Sequence, residues 1–146
     1  MIKYKKNSPE NNGQKMIIDT NVYSMANKGH AGATNLLKNS TIILIPTIVL
    51  AELKAGFLGG GQNHKNSRIF DRFMVDSRVD TINIGYDTVP FYAELAVFAK
   101  KSGRVLANND IWIAALALEN KMPLATFDKD FSVFESFFGK DLIILE

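Results

Sequence analysis

Cysteine is absent from this chain of 146 residues, and histidine occurs only twice. Without cysteine the chain forms neither a disulfide framework nor a thiolate metal site. A bound metal ion would therefore be held by oxygen ligands or by the histidines, and this set favours a hard divalent cation such as Mg²⁺ or Mn²⁺. His30 and His64 each stand alone in a polar context, so we predict that both are solvated surface residues.

Long apolar runs are also missing. The longest, residues 41–51, is interrupted by Pro46 and is shorter than the roughly 20 residues that span a bilayer. The glycine-rich stretch 59–65 lacks the Gly-Lys-Ser/Thr ending of a phosphate-binding loop, and no serine lies in a nucleophile elbow. The sequence therefore predicts neither a membrane protein nor a P-loop enzyme nor a serine hydrolase.

Charge is nearly balanced, with a formal net charge of +2, but it is unevenly distributed. Residues 1–15 carry four lysines and one glutamate together with proline, glycine and asparagine. This composition predicts a flexible basic tail, either native or the product of an upstream or artificial start site, and not a signal peptide. We expect one folded domain over residues 16–146 and, without a secretory signal, a cytoplasmic protein.

Short apolar runs alternate with longer helical patterns from residue 16 onward. The predicted strands are Lys15–Ile18, Thr41–Ile45, Thr81–Ile84, Leu124–Phe127 and Leu142–Leu145. The predicted helices are His30–Asn39, Thr47–Leu58, Lys65–Ser77, Asp87–Ser102, Asn109–Lys121 and Asp130–Phe138. Continuous apolar strands are typical of parallel sheets covered on both faces. The alternation therefore predicts an α/β sandwich with a largely parallel sheet.

Three carboxylates lie where such a fold places a ligand site. Asp19 follows the first predicted strand, Asp128 follows the fourth, and Asp110 opens a helix. Ligands of open parallel sheets bind beyond the carboxyl ends of strands, where the strand order reverses. If the first and fourth strands are neighbours, Asp19 and Asp128 face each other across that crevice. The unpaired N–H groups of a helix start also favour an ionised Asp110.

Glu52 is notable because its helix is otherwise the most apolar of the chain. Buried there alone, its carboxylate would lose several kcal/mol of solvation or remain protonated, and a metal ion or polar crevice would resolve that conflict. The alternative is a half-exposed glutamate at the helix edge, near Lys54. Structural alternatives also exist for the three aspartates, as turn, cap or helix N-terminal residues. We predict Asp130 to be the N-cap of the last helix and not a ligand.

The four acids occur within short motifs that follow one another in a recognisable order. The motifs are Ile17–Asn21, Ile48–Leu53, Asn109–Ala115 and Leu124–Phe131. Together they resemble the PIN-domain ribonucleases, specifically the VapC-type toxins of bacterial toxin–antitoxin pairs. The resemblance covers the chain from about Met16 to its end. Residues 103–106 depart from the Gly-x-x-Ile or Pro-Ile pattern often found before the third acid.

The resemblance implies a three-layer sandwich with a five-stranded, mostly parallel sheet. It also implies a Mg²⁺ or Mn²⁺ site formed by Asp19, Glu52, Asp110 and Asp128, and Asn21 and Thr126 match polar positions that support it. The implied activity is endonucleolytic RNA cleavage by metal-activated water. The implied partners are an RNA substrate, an antitoxin protein and a second copy of the chain.

Basic residues near the crevice rim are candidates for holding the RNA backbone. They are Lys28, Lys54, Arg68 and Arg104, each of which is otherwise a solvated surface charge. A rival hypothesis is a non-catalytic regulatory or nucleic-acid-binding module with the same fold, but such a module does not need four acids that repel nucleic acid. A phosphoacceptor receiver domain would need paired acids after the first strand and a lysine after the last, and the sequence provides neither.

Overall fold

The computed structural model describes residues 14–146, which form five strands and seven α-helices. In chain order they are β1 (Gln14–Ile18), α1 (Thr20–Asn27), α2 (Ala31–Lys38), β2 (Ser40–Pro46), α3 (Thr47–Gly59), α4 (Asn63–Met74), β3 (Val79–Ile82), α5 (Val89–Lys101), α6 (Asn108–Glu119), β4 (Leu124–Thr126), α7 (Glu135–Phe138) and β5 (Leu142–Ile144). Short 3₁₀ helices cover Tyr86–Thr88, Lys129–Phe134 and Gly139–Asp141. The predicted α/β class with five strands is confirmed.

The strands form one parallel sheet in the order β3-β2-β1-β4-β5. The chain therefore moves outward from β1 in one direction through β2 and β3, and in the other through β4 and β5. Because crossovers between parallel strands are right-handed, this reversal places helices on both faces of the sheet. The reversal lies between β1 and β4, where Ile17 and Ile18 pair with Leu124 and Ala125.

The central strands are apolar on both faces because helices cover them on both sides. Met16, Ile17 and Ile18 of β1 are fully buried, as are the middle residues of β2. Helix α6 is buried through five consecutive residues, 113–117, three of which are alanine. Small side chains let the middle of this helix be buried in the core, where it packs against α5.

Several predicted boundaries were wrong. The third strand is Val79–Ile82, two residues earlier than predicted, because Val79 and Ile82 are its buried residues while Ile84 is 36% exposed. Helix α1 was not predicted, since Thr20–Asn27 is rich in polar residues that are poor helix formers. The last predicted helix is a 3₁₀ helix followed by the four-residue α7.

The first strand begins at Gln14, so the last two residues of the predicted tail belong to the sheet. The remainder of that prediction falls on residues 1–13, outside the described residues, and stays a prediction. No helix within residues 14–146 combines the length and the apolar character that a bilayer crossing needs.

Candidate functional site

A crevice of about 410 Å³ opens where the carboxyl ends of β1 and β4 meet the first turn of α6. Its lining residues are Asp19, Thr20, Asn21, Ser24, Met25, Lys28, Glu52, Asp110 and Asp128. All four acids predicted from the sequence therefore lie at the predicted position, between the first and fourth strands. We call this cavity, with its four acids, the acidic crevice.

Asp19 is the most buried of the four acids, with 5% of its surface exposed. It is the N-cap of α1: its Oδ1 accepts a hydrogen bond from the backbone N–H of Thr20 at 2.8 Å. Its Oδ2 accepts a hydrogen bond from the Thr126 hydroxyl at 2.7 Å. Burial raises the pKa of Asp19, these hydrogen bonds oppose the rise, and the charge of Asp128 adds to it. The cap role and the crevice role coexist in one side chain.

The two predicted supporting residues lie in one hydrogen-bond network around Asp19. The Thr126 hydroxyl, fully buried at the end of β4, donates to Asp19 and accepts the backbone N–H of Asp128 at 3.0 Å. Asn21 accepts the backbone N–H of Phe127 through its Oδ1 at 3.0 Å. These contacts tie the start of α1 to the segment after β4, so that Asp19 and Asp128 are held on one rim.

Asp128 is also a cap residue. It precedes the 3₁₀ helix Lys129–Phe134, and its Oδ1 accepts the backbone N–H of Asp130 at 2.9 Å. The prediction that Asp130 is the N-cap of the last helix was therefore wrong by two residues. Asp130 is exposed within the first turn of that 3₁₀ helix, and its charge reaches Asp110 only as a minor contribution.

Asp110 is the acid most strongly perturbed by the others. It is the third residue of α6, partly buried, and its pKa is raised to about 6. Burial is the largest cause, followed by the negative charges of Asp19, Asp128 and Glu52. The helix start, which alone would keep the acid ionised, is outweighed here. The group therefore gains most if a cation enters the crevice.

Glu52 lies on the solvent side of the crevice and is exposed, so the reason for which we singled it out was wrong. The alternative, a half-exposed glutamate at the helix edge near Lys54, is closer to the observed surroundings, although Lys54 pairs with Asp71 at 3.6 Å and not with Glu52. Desolvation of the carboxyl group and the charge of Asp19 nevertheless raise the pKa of Glu52. It belongs to the crevice through its carboxyl end and not through burial of the whole side chain.

The donor set of the crevice fits a hard divalent cation, because carboxylate oxygens are the ligands that Mg²⁺ and Mn²⁺ prefer. Within residues 14–146, however, no three carboxylate or histidine side chains converge closely enough to form a ready-made metal cluster. Binding would therefore require water-mediated contacts or rotation of side chains such as Asp110 and Glu52. Repulsion among the acids supplies a physical reason for such a rearrangement.

The basic candidates separate into different positions. Lys28 lines the crevice itself, whereas Arg68 is exposed on α4 and Arg104 lines a second groove beside α6. Thr20 was not among the predicted site residues, although its hydroxyl is buried in the crevice without a well-formed hydrogen bond. Its position next to Asp19 at the start of an unpredicted helix was the only available signal.

The histidines differ from one another. His64 is exposed, as predicted, but His30 is partly buried and the prediction for it was wrong. His30 is the N-cap of α2, accepting the Ala33 N–H through Nδ1 at 3.2 Å, and its ring meets Phe127 edge to face at 5.0 Å. Neither histidine lines the acidic crevice, so the crevice provides oxygen ligands in the described part of the chain.

Comparison with known proteins agrees with this geometry. The sequence matches the PIN domain family over residues 16–135. The ribonuclease VapC2 of Rickettsia felis is 30% identical over 114 residues, which cover 75% of this chain and 84% of that protein. The ribonuclease VapC5 of Mycobacterium tuberculosis is 25% identical over 127 residues, covering 87% of this chain and 93% of that protein.

Solved structures show the same fold. The structure of VapBC2 from Rickettsia felis bound to a promoter DNA fragment contains a chain with a TM-score of 0.73 and 28% identity, covering 90% of this chain and 98% of that one. A chain in the structure of VapBC-1 from nontypeable Haemophilus influenzae gives a TM-score of 0.69 and 26% identity, with coverages of 91% and 98%. From its family match, its relatives and its fold, the chain belongs to the PIN-domain family, among the VapC-type proteins.

Proposed function

We propose that the chain is a divalent-metal-dependent endoribonuclease and the toxin of a bacterial toxin–antitoxin pair. The observation that carries this proposal is the convergence of four carboxylates on one crevice, where burial and then the charges of the other three acids raise the pKa of Asp110 to about 6. Clustered acids with raised pKa values are typical of functional sites. The ribonuclease names of the relatives support RNA as the substrate.

Asp19, Asp110 and Asp128 would hold the cation, with Asp19 fixed by its bonds to Thr126 and Thr20. A bound divalent cation supplies positive charge for the phosphate and a Lewis acid that activates water near neutral pH. Glu52, which is exposed and lines the same crevice, would orient the attacking water or accept its proton. Lys28, at the same rim, would bind a flanking phosphate.

A protein partner is the second part of the proposal. Structures of the relatives are named as VapBC complexes, which supports an antitoxin partner. Helix α3, apolar over most of its surface, leaves Ala51, Ala55 and Leu58 exposed, with Leu58 at 75%. Apolar surface of this kind favours coverage by a protein, either the antitoxin or a second copy of the chain. Sedimentation of the purified chain with and without an antitoxin distinguishes the two occupants.

The decisive experiment compares cleavage of single-stranded RNA by the wild-type chain and by Asp110→Asn in Mg²⁺, in Mn²⁺ and in EDTA. We expect cleavage by the wild type to require the cation. Asp110→Asn should lower the rate by more than the 10- to 100-fold typical of residues that only support a metal site. Asp87→Asn is the matched control, because Asp87 is an exposed aspartate outside the crevice.

Cation binding gives an independent measurement. Mn²⁺ should raise the melting temperature of the wild type, since a ligand that binds only the folded state stabilises it, and should raise that of Asp110→Asn less. Full-rate cleavage by Asp110→Asn would contradict the metal-site mechanism. A wild type that binds nucleic acid but cleaves no RNA with either cation would favour the non-catalytic module.

A further inference from the structure

A second groove of about 410 Å³ lies between the end of α5 and the start of α6, the helix that also carries Asp110. Ala96, Ala99, Leu106 and Ile111 contribute its apolar lining. Tyr92 on α5 and Asn108 on α6 also line it, and the Tyr92 hydroxyl donates to Asn108 Oδ1 at 3.2 Å. We call this the Tyr92 groove.

The groove combines an aromatic ring with basic side chains. The Tyr92 ring is stacked on the ring of Trp112, with centroids 4.0 Å apart and planes inclined by 26°. Trp112 does not line the groove, and its contact with one face of Tyr92 restricts the orientation of that ring. Lys100 and Arg104 line the same groove and are exposed. An oriented ring beside two cations fits a ligand with a flat aromatic part and a negative charge.

We propose that the Tyr92 groove binds one nucleotide of single-stranded RNA next to the cleavage site, with the base on Tyr92 and a backbone phosphate at Lys100 and Arg104. This inference rests on the proposed ribonuclease function and deepens it. Base–aromatic stacking beside a positively charged track is the usual way in which proteins hold single strands without reading their sequence. Arginine is particularly suited to phosphate.

Charge favours RNA over a protein segment as the occupant. The described residues that line the groove include two cations and no carboxylate, whereas the crevice beside it holds four carboxylates and one lysine. A substrate cut in the acidic crevice needs neutralising contacts elsewhere, since the acids themselves repel its phosphates. The groove supplies these contacts within the described part of the chain.

The groove and the crevice are joined by the first turn of α6. Asn108 lines the groove and Asp110, two residues later, lines the crevice. Because residues two apart on a helix point to different sides, a strand leaving the crevice passes around the first turn of α6 before it reaches the groove. The neighbouring nucleotide is then held by a rigid element that also carries a catalytic acid, which keeps the scissile phosphate in register.

Trp112 makes the proposal directly measurable, because it is the only tryptophan of the chain and contacts Tyr92. We would titrate a mixed-sequence single-stranded oligoribonucleotide into Asp110→Asn in EDTA, conditions chosen to suppress turnover, and follow tryptophan fluorescence. In this background Tyr92→Ala should weaken binding about tenfold or more, as loss of a stacked base does elsewhere. Tyr92→Phe keeps the ring, loses only the bond to Asn108, and should bind within about threefold of the parent.

The basic rim has its own matched control. Arg104→Gln and Lys100→Gln should each weaken binding and reduce the salt dependence of the affinity by about one unit of slope. Lys101→Gln removes an adjacent exposed charge that does not line the groove and should leave both unchanged. In the otherwise wild-type enzyme, the same groove variants should raise KM for long RNA and leave cleavage of substrates too short to reach the groove unchanged.

The possible outcomes separate this inference from the proposed function. If the wild type cleaves RNA while Tyr92→Ala and Arg104→Gln bind RNA as tightly as the parent, the groove proposal is wrong and the proposed ribonuclease function stands. A wild type without any cleavage overturns the function first. Groove variants that change the oligomeric state in sedimentation, with RNA binding altered only as a consequence, would identify the groove as a contact between copies of the chain and contradict the proposal.

Discussion

The two edges of the central sheet treat charge in opposite ways. At the amino edge, before β3, Arg78 donates to both carboxylate oxygens of Asp76 at 3.1 and 3.0 Å. Its Nη1 also donates to the carbonyl oxygens of Leu37 and Ser40 at 2.9 Å each. The hydrogen bonds from the Arg78 side chain and backbone hold the pKa of Asp76 below its ordinary value. Both charges of this pair are therefore hydrogen-bonded.

At the carboxyl edge, the acidic crevice gathers like charges instead. No ion pair within residues 14–146 involves Asp19, Glu52, Asp110 or Asp128. The pKa values of Asp19, Glu52 and Asp110 are all raised, with burial as the first cause in each case. This edge therefore lowers the stability of the chain by itself and gains from a bound cation.

The contrast separates structural charge from functional charge. Asp76 and Arg78 form hydrogen bonds with one another and with the backbone. These contacts therefore stabilise the fold and leave little charge free to bind a ligand. The crevice acids keep unsatisfied negative potential, which is available to a ligand. Changes at the amino edge should therefore affect stability and leave catalysis intact, whereas changes at the carboxyl edge should affect catalysis first.

Among the tests of this contrast, Thr126→Val has the largest expected effect. Valine keeps the volume of this fully buried side chain but removes the hydrogen bonds to Asp19 and from the N–H of Asp128. We expect RNA cleavage to fall by about 10- to 100-fold, as for other residues that orient metal-binding groups. The measurement is kcat/KM in Mg²⁺ on the purified variant.

Thr126→Ser is the control, because it restores the hydroxyl with one methyl group fewer. It should recover most of the activity that valine loses. Cleavage by Thr126→Val at the wild-type rate would show that the orientation of Asp19 is unimportant. It would also contradict the catalytic role that the contrast assigns to the carboxyl edge.

Arg78→Met tests the other edge. The substitution keeps an unbranched side chain but removes the ion pair and leaves the carbonyl groups of Leu37 and Ser40 without this donor. We expect a loss of about 2 kcal/mol in the free energy of unfolding, which is typical of lost hydrogen bonds to a charged group. Denaturant unfolding measures the loss, and kcat at a temperature where the variant is folded should be unchanged. A lower kcat in fully folded Arg78→Met would argue against separate roles for the two edges.

Sequence patterns were sufficient for the central strands and for the positions of Asp19 and Asp128. Strands β1 and β4 contain short apolar runs, and the site lies at their carboxyl ends because the strand order of the parallel sheet reverses there. The amino-edge cluster was not predicted. Arg78 gains its role by reaching residues 37–40, nearly forty positions away, and no local pattern indicates such a contact.

For Glu52, the sequence pattern led to a wrong prediction of burial. Its apolar sequence context predicted burial, but an apolar helix of this chain has one face on the sheet and another exposed, and Glu52 lies on the exposed side. The Tyr92 groove was also beyond sequence reasoning, since Tyr92 and Trp112 are twenty residues apart on different helices. Helical spacing gives the face of each helix but not the partner that the face meets.

The two edges should respond to pH with opposite signs, which is the smallest effect and the strictest test. The folded-state pKa of Asp110 is raised from 3.8 to about 6, so the folded chain binds this proton more tightly than the unfolded chain. In EDTA its contribution to the free energy of unfolding should fall as pH rises from about 4 to about 6, by about 1 kcal/mol after allowance for solvent screening. Asp110→Asn should remove that fall.

Asp76 has a lowered pKa, so its ionised form is favoured in the folded state, and its contribution should be lost as pH falls below about 4. Asp76→Asn should therefore flatten the acid side of the stability profile, while Asp110→Asn flattens the region just above it. Mg²⁺ should abolish the Asp110 dependence, because a cation in the crevice removes the advantage of the protonated form, and should leave the Asp76 dependence unaltered. Denaturant unfolding of both variants across this range, with and without the cation, measures all of these terms. If both substitutions changed the pH dependence of the free energy of unfolding in the same direction, the two edges would not differ in how they hold their charges.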